Sequence, residues 1–303
     1  MSVIAVNHLT KDYGNDRGVF DVSILVDLGV CFGFLGPNGA GKTTTIRHLM
    51  GFSKSQKGEA SILGMDCWKE ATKIKVQTGY LPGEIAFPRN MTGTNFLKMM
   101  KQMRKIHSDQ YCNELLERFD FDPKINIDDM SLGEKRKLAV VTAFMHDPKV
   151  LILDEPTSGL DPIMQQTFID YILAEKKRGK TILLSSHIFR EVDATCDIIA
   201  IIKEGKIVAQ FRADSLKNIK SRIYRVTFAD DEDFERFSSC PYQLVSQNRK
   251  KRRARVYLDD GNVNGLLQDL DGLRIEEFQE IPFTLEDYFM QYYKEDRVFE
   301  EVR

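Results

Sequence analysis

Between Gly36 and Thr44 the chain reads GPNGAGKTT, which fits G-x-x-x-x-G-K-[ST] through Gly36, Gly41, Lys42 and Thr43. Residue types in this order suit the holding of a phosphate chain. Glycines let consecutive backbone N–H groups curl around phosphate oxygens without a clashing Cβ. A helix following the run adds the partial positive charge of its N-terminus. Lys42 is placed to reach the outer phosphates, and the Thr43 hydroxyl suits Mg²⁺ coordination. The candidate nucleotide-binding residues are therefore Gly36, Pro37, Asn38, Gly39, Ala40, Gly41, Lys42, Thr43 and Thr44. A plain glycine-rich turn is the alternative. The apolar strand before the run and the helical pattern after it favour phosphate.

A second chemical signal lies in KVLILDEP, residues 149–156, where four apolar residues precede Asp154 and Glu155. Such a run suits a strand buried on both faces. It would aim both carboxylates at the carboxyl edge of a parallel sheet, where such folds bind ligands. Asp154 suits the Mg²⁺ shell, held directly or through water. Glu155 suits polarising an attacking water. Phosphoryl transfer asks for little beyond positioning and charge neutralisation. His187 ends the next apolar run, TILLSSH. From a neighbouring strand end a histidine can reach a γ-phosphate and hold the water. Glu155, His187 and Lys42 are the candidate catalytic residues.

These side chains need a scaffold. Residues 1–35 read as short strands, residues 42–50 as a helix, and residues 92–122 as purely helical. In the last stretch Phe96, Met99, Met100 and Met103 share one face, and Tyr111, Leu115 and Phe119 share another. Asp161-Pro162 is an N-cap followed by proline at the first helical position. Met164, Phe168, Tyr171 and Ile172 form that helix's buried stripe, and Gly179 stops it. Residues 181–187 and 197–210 are further strands, the second with a turn at Glu204-Gly205. Strands alternating with helices predict an α/β domain with a largely parallel sheet.

The bulk composition is that of an ordinary soluble globular protein: 303 residues, 42% hydrophobic, 29% charged, formal net charge −2. No global charge excess points to nucleic acid. The five cysteines lack CxxC spacing and read as reduced thiols. The sequence shows no signal segment, and its apolar run LGVCFGFLG is far shorter than the ~20 residues that span a bilayer. Membrane work would need a separate anchor.

The stretch MSLGEKRKL, residues 130–138, opens another helix. Ser131 and Glu134 form a capping box. Gly133 costs the first turn roughly 0.5–1 kcal/mol relative to alanine, which asks for a reason beyond helix formation.

Taken in order, GPNGAGKTT, SLGEKRKL, LILDEPTSGLD and SSH resemble the motifs of an ATP-binding-cassette (ABC) transporter ATPase subunit. The resemblance covers about residues 1–215 and implies a P-loop NTPase cassette. Its parts would be an antiparallel β subdomain, a mostly parallel core sheet and a helical subdomain at about 85–145. It further implies ATP and Mg²⁺ as cofactors, and a sandwich dimer in which each ATP sits between the phosphate loop of one subunit and the signature helix of the other. By position, Tyr13 in KDYG matches the aromatic that stacks on adenine. Ser131 and Gly133 match the signature, Asp161 the loop crossing the interface, and His187 the switch histidine. Two departures stand out. Leu132 occupies a position where the family commonly has glycine. Gly83 follows YLP where the family has a Gln or Glu that senses Mg²⁺, which leaves Glu84, one residue on, as the candidate metal-side group beside Thr43 and Asp154.

Residues 216–303 form a small α+β accessory module, ending in a helix at 284–293 with Thr284 as cap and Leu285, Tyr288, Phe289 and Tyr292 on one face. It resembles the C-terminal extension of drug and antimicrobial-peptide exporter ATPases. Its basic run RKKRRAR, residues 249–255, reads as a solvated hairpin tip or as a contact for anionic lipid. No aromatics interleave the charges, which argues against nucleic acid. The implied partners are an integral membrane permease and a second ATPase subunit, identical or not. The implied place is the cytoplasmic face of a bacterial cell membrane, held peripherally. The expected function is to energise a separate membrane-spanning exporter. The alternatives are a soluble non-transport ABC ATPase acting as a conformational switch, or a regulatory cassette that hydrolyses ATP slowly; the single phosphate loop and the intact Glu155 favour transport.

Overall fold

The computed structural model describes residues 2–218, 222–258, 263–282, 284–293 and 299–300. The chain divides into two compact units, Met1–Arg212 and Ala213–Arg303.

The first unit opens with β1 (Ser2–Asp12), β2 (Gly18–Asp27) and β3 (Cys31–Leu35), then α1 (Lys42–Leu49), β4 (Lys57–Ile62), β5 (Met65–Asp66), α2 (Ala71–Gln77) and β6 (Thr78–Leu81). The helices α3 (Gly93–Arg104), α4 (Gln110–Arg118) and α5 (Leu132–Phe144) follow. The unit closes with β7 (Val150–Asp154), α6 (Pro162–Lys177), β8 (Thr181–Ser186), α7 (Phe189–Thr195), β9 (Ile198–Lys203) and β10 (Lys206–Arg212). An antiparallel sheet has the order β2-β1-β4-β5. Its first two strands run to 11 and 10 residues, longer than the short strands expected. Register shifts flanking His8, which has φ 50°, let the long ribbon bend.

The larger sheet has the order β10-β9-β3-β8-β7-β6, parallel except for β10. Every residue of β3, β7 and β8 is buried, as strands covered on both faces should be. Because β8 lies between β3 and β7, the carboxyl ends of all three meet at one edge: Leu35 pairs with Ser186, and Asp154 with Ser185. Glu204 and Gly205, with φ 48° and 75°, make the tight turn into β10.

The helical reading of 92–122 needs correction. The stretch is two helices, parted at Lys105, whose φ of 55° ends α3 in a left-handed cap. Phe96, Leu115 and Phe119 are buried, but Met103 is 72% exposed and takes no part in the inward face. The capping box of α5 is present: Ser131 Oγ accepts from Glu134 N at 3.2 Å, and Glu134 Oε2 accepts from Ser131 N at 2.8 Å. Asp161 caps α6 through Ile163 N and Met164 N. The helix ends ahead of Gly179, at φ 84°.

The end of α3 is tied to the core through His146. Arg104 Nη1 lies 2.7 Å from His146 Nε2, and because a guanidinium has no acceptor, the ring nitrogen accepts. Burial, then the Arg104 charge, push the His146 pKa down to about 4. The folded state therefore binds fewer protons than the unfolded chain between about pH 4 and the ordinary histidine value. Stability is lost as pH falls through that window. Between pH 7 and 4 the melting temperature of His146→Gln should fall less steeply than that of wild type. Parallel slopes in thermal melts would exclude this titration.

The second unit has β11 (Arg222–Phe228), α8 (Asp231–Ser238), β12 (Gln243–Asn248), β13 (Arg253–Leu258), α9 (Val263–Asp269), β14 (Ile275–Ile281), α10 (Leu285–Tyr293) and β15 (Phe299–Glu300). Its sheet order is β14-β11-β13-β12-β15. Phe228, Phe234, Phe237, Val226, Val256 and Leu266 centre its core. Thr284 caps α10, accepting from Asp287 N at 3.2 Å, and Leu285 and Phe289 are buried. The basic run turns between β12 and β13. Its arginines have partners within the unit: Arg249 with Glu235 at 2.6 Å, Arg252 with the Ala229 carbonyl, Arg253 with Glu277 at 3.7 Å and Arg255 with Asp287 at 3.1 Å. Arg252, Arg253 and Arg255 are half-buried within the module, while Arg249, Lys250 and Lys251 are exposed at the tip of the run and remain its candidates for contact with anything outside it.

Candidate nucleotide site

The carboxyl edge of the large sheet holds the phosphate-loop residues. Gly41 has φ 114°, a backbone state that side chains resist, and a Cβ there would come within 2.9 Å of Val19. The loop therefore closes tightly on the start of α1. That helix has no side-chain cap, so its first N–H groups are left for an anion. Lys42 opens the helix and is 4% exposed. Its ammonium lies 3.1 Å from Pro37 O, bonds Gly36 O, and pairs with Glu155 Oε1 at 3.0 Å.

Thr43 Oγ1 donates to Asp154 Oδ2 at 2.8 Å, and Ser185 Oγ bonds the other carboxylate oxygen. Asp154 is fully buried. Burial pushes its pKa up, against the pull of the two hydroxyls, and the Glu155 carboxylate adds to the rise. One residue on, the chain leaves the strand. Glu155 sits at φ 47°, a left-handed state costing a non-glycine residue of order 1–3 kcal/mol. This turn swings its carboxylate between Lys42 and His187, whose Nδ1 lies 2.6 Å from Glu155 Oε2. With the proton on Nδ1 the ring donates to Glu155.

These groups line a cleft of about 750 Å³ together with Asn38, Gly39, Thr44, Gly83 and Glu84. Arg47, Phe52, Tyr80 and Ser158 line it too, and the sequence alone did not single them out. Gly83 lies so close to Asp154 that a Cβ would sit 3.2 Å from Oδ2. Glu84, the next residue, is the acidic side chain of this loop that lines the cleft.

Tyr13, Ser131, Gly133 and Asp161 do not line this cleft. Tyr13 is 56% exposed, with Lys11 Nζ 5.5 Å from its ring centroid. Ser131 is exposed, and its hydroxyl donates to Glu134 at 2.7 Å. Gly133 has a packing reason besides any phosphate: its Cβ would meet Gly159 O at 3.3 Å.

Comparison with known proteins decides what this arrangement belongs to. Residues 19–158 match the ABC transporter family, and residues 214–293 match the C-terminal domain of DrrA1-3-like ATP-binding proteins. Over 304 residues the chain is 33% identical to the bacitracin transport ATP-binding protein BcrA of Bacillus licheniformis, covering 96% of this chain and 97% of that one. The chain belongs to the ABC transporter family. Within it, the chain is an ATP-binding subunit of the kind that energises a separate membrane-spanning transporter. The Nod factor export ATP-binding protein I of Rhizobium meliloti is 29% identical, covering 95% of this chain and 87% of its own. A solved ATP-binding subunit of an ABC transporter is 28% identical with TM-score 0.66, covering 72% of this chain and 92% of that one. A dimeric bacterial ABC transporter cassette, 18% identical with TM-score 0.63 over 69% of this chain and 98% of its own, shares the fold. The match to the DrrA1-3-like C-terminal domain falls within the second unit. No helix among the described residues is long and apolar enough to cross a membrane.

Proposed function

We propose that the chain is a Mg²⁺-dependent ATPase that dimerises on ATP and drives a membrane-spanning exporter from the cytoplasmic face of a bacterial membrane. One observation carries the catalytic part: Lys42, Glu155 and His187 form a continuous polar chain across the mouth of the phosphate loop. Names among the relatives, bacitracin transport and Nod factor export, support an exporter.

The residues fit a hard divalent cation. Thr43 and the buried, desolvated Asp154 offer oxygen donors side by side. Glu84, which lines the same cleft, is the third candidate. What a bound Mg²⁺ supplies is charge neutralisation on the phosphate oxygens. This chain's own residues do the rest. When ATP enters, Lys42 exchanges Glu155 for the outer phosphates. Glu155, released, holds the attacking water and takes its proton as oxygen bonds the γ-phosphorus and the bond to ADP breaks. His187 steadies the carboxylate through Nδ1. The phosphate loop cradles the leaving diphosphate, and Tyr13 stacks on adenine.

Ser131, Gly133 and Asp161 lie away from their own cleft, which suits service to the nucleotide of a second subunit. The start of α5 offers that anion the Leu132 and Gly133 N–H groups and a positive helix end, and the Ser131 hydroxyl once it turns from Glu134. The second subunit, identical or different, and a membrane permease are the partners. The division 1–215 and 216–303, with a helical subdomain at 85–145, is the working domain plan. Ser131→Arg tests the sandwich. Nucleotide binding by the isolated chain should stay within about 3-fold of wild type, while turnover falls by about 100-fold or more. Turnover near wild type would sink the two-subunit site.

A further inference from the structure

Arg136 lies one turn into α5 and is 2% exposed. Its guanidinium donates to backbone carbonyls only, each through a different nitrogen. Nε reaches Ser158 O at 2.9 Å, Nη1 reaches Pro82 O at 2.9 Å, and Nη2 reaches Gly83 O at 2.8 Å. Burying a cation is costly unless its donors are satisfied. Here the donors are met by carbonyls, and the charge is balanced at longer range by Asp154, Glu155 and Glu191.

The acceptors belong to segments that touch the proposed chemistry. Gly83 packs against the Asp154 carboxylate. Ser158 closes the turn that begins at Glu155: its N–H donates to Glu155 O at 3.2 Å, while Glu155 N donates to Ser185 O at 3.0 Å. Thr157, between them, is 1% exposed. A left-handed glutamate such as Glu155 persists only where its surroundings over-determine it. Arg136 supplies a hydrogen-bonded restraint from α5, the helix whose first turn carries Gly133 and whose N-cap is Ser131.

We propose that Arg136 is a positioning residue that transmits the placement of the α5 N-terminus to Glu155 through Ser158, and to Asp154 through Gly83, in the same subunit. The position after Pro82 has no side chain to sense its surroundings, and its carbonyl is read by Arg136 instead. The proposal rests on Glu155 being the water-holding group. A planar fork is required, because one ammonium cannot meet carbonyls of both segments in fixed directions.

The test compares Arg136→Lys and Arg136→Gln with wild type and with Glu155→Gln, using titration with a fluorescent ATP analogue, steady-state phosphate release and thermal melts. Both Arg136 variants should bind nucleotide within about 3-fold of wild type while kcat falls on the order of 10- to 100-fold, with no rescue by lysine. Either variant keeping kcat within about 2-fold, or losing nucleotide binding in step with kcat, overturns the proposal. If neither variant folds, Arg136 is a folding residue and the proposal fails. Full activity in Glu155→Gln would instead remove the catalytic reading on which it rests, so the two failures are distinguishable.

Discussion

Glu155→Gln should bind ATP at least as tightly as wild type and hydrolyse it on the order of 10²–10⁴-fold more slowly. The amide keeps the shape of the carboxylate and can still accept from His187 Nδ1, now 2.6 Å away. It cannot take the proton of the attacking water. It also ends the ion pair with Lys42, 3.0 Å long in this structure, which competes with the outer phosphates for the ammonium. Binding therefore gains while chemistry is lost, and an ATP-bound dimer should accumulate. Phosphate release and light scattering with ATP read the two effects separately. A variant that stays fully active would remove Glu155 from the mechanism.

Lys42→Ala should lose both. Lys42 is 4% exposed, and its ammonium bonds the carbonyls of Gly36 and Pro37. It holds the loop's curl as well as the phosphates. Hydrogen bonds to a charged group contribute about 1.5–3 kcal/mol each, so ATP affinity should weaken by about 10- to 100-fold. Removing the charge that stabilises the transferring phosphoryl group should lower turnover by a further 10²–10³-fold, on the order of losing one oxyanion donor. Turnover within about 10-fold of wild type at saturating ATP would contradict the role of Lys42.

Features set by neighbours in the chain were legible in the sequence. The phosphate loop is contiguous, and the caps at Ser131, Asp161 and Thr284 act over two or three residues. The buried strand before Asp154 shows in four apolar residues, so its place at the sheet edge follows. What needs distant partners was not legible. Ser185, which bonds Asp154, is one serine of a pair with no spacing signal. Arg136 looks like part of a solvated basic turn, and only the folded arrangement of Pro82, Gly83 and Ser158 draws it inside. The arginines of 249–255 are alike in sequence, yet Glu235, Glu277 and Asp287 reach them from other elements. The stretch 92–122 reads as helical throughout because periodicity runs through Lys105, whose left-handed backbone ends α3 five residues before α4 begins.

Leu132 takes a position where a glycine would be open, and its side chain is 62% exposed. Its Cγ and Cδ2 stand 3.0 Å from where a Cβ on Gly159 would be, and Gly159 itself has φ 82°. A side chain at 159 is thus refused by the backbone and by the leucine. The two segments fit like a tongue in a slot, which gives Ser131 and Asp161 a common mount. If the proposed two-subunit site forms, the serine and the aspartate would approach it from two segments that already touch within one subunit.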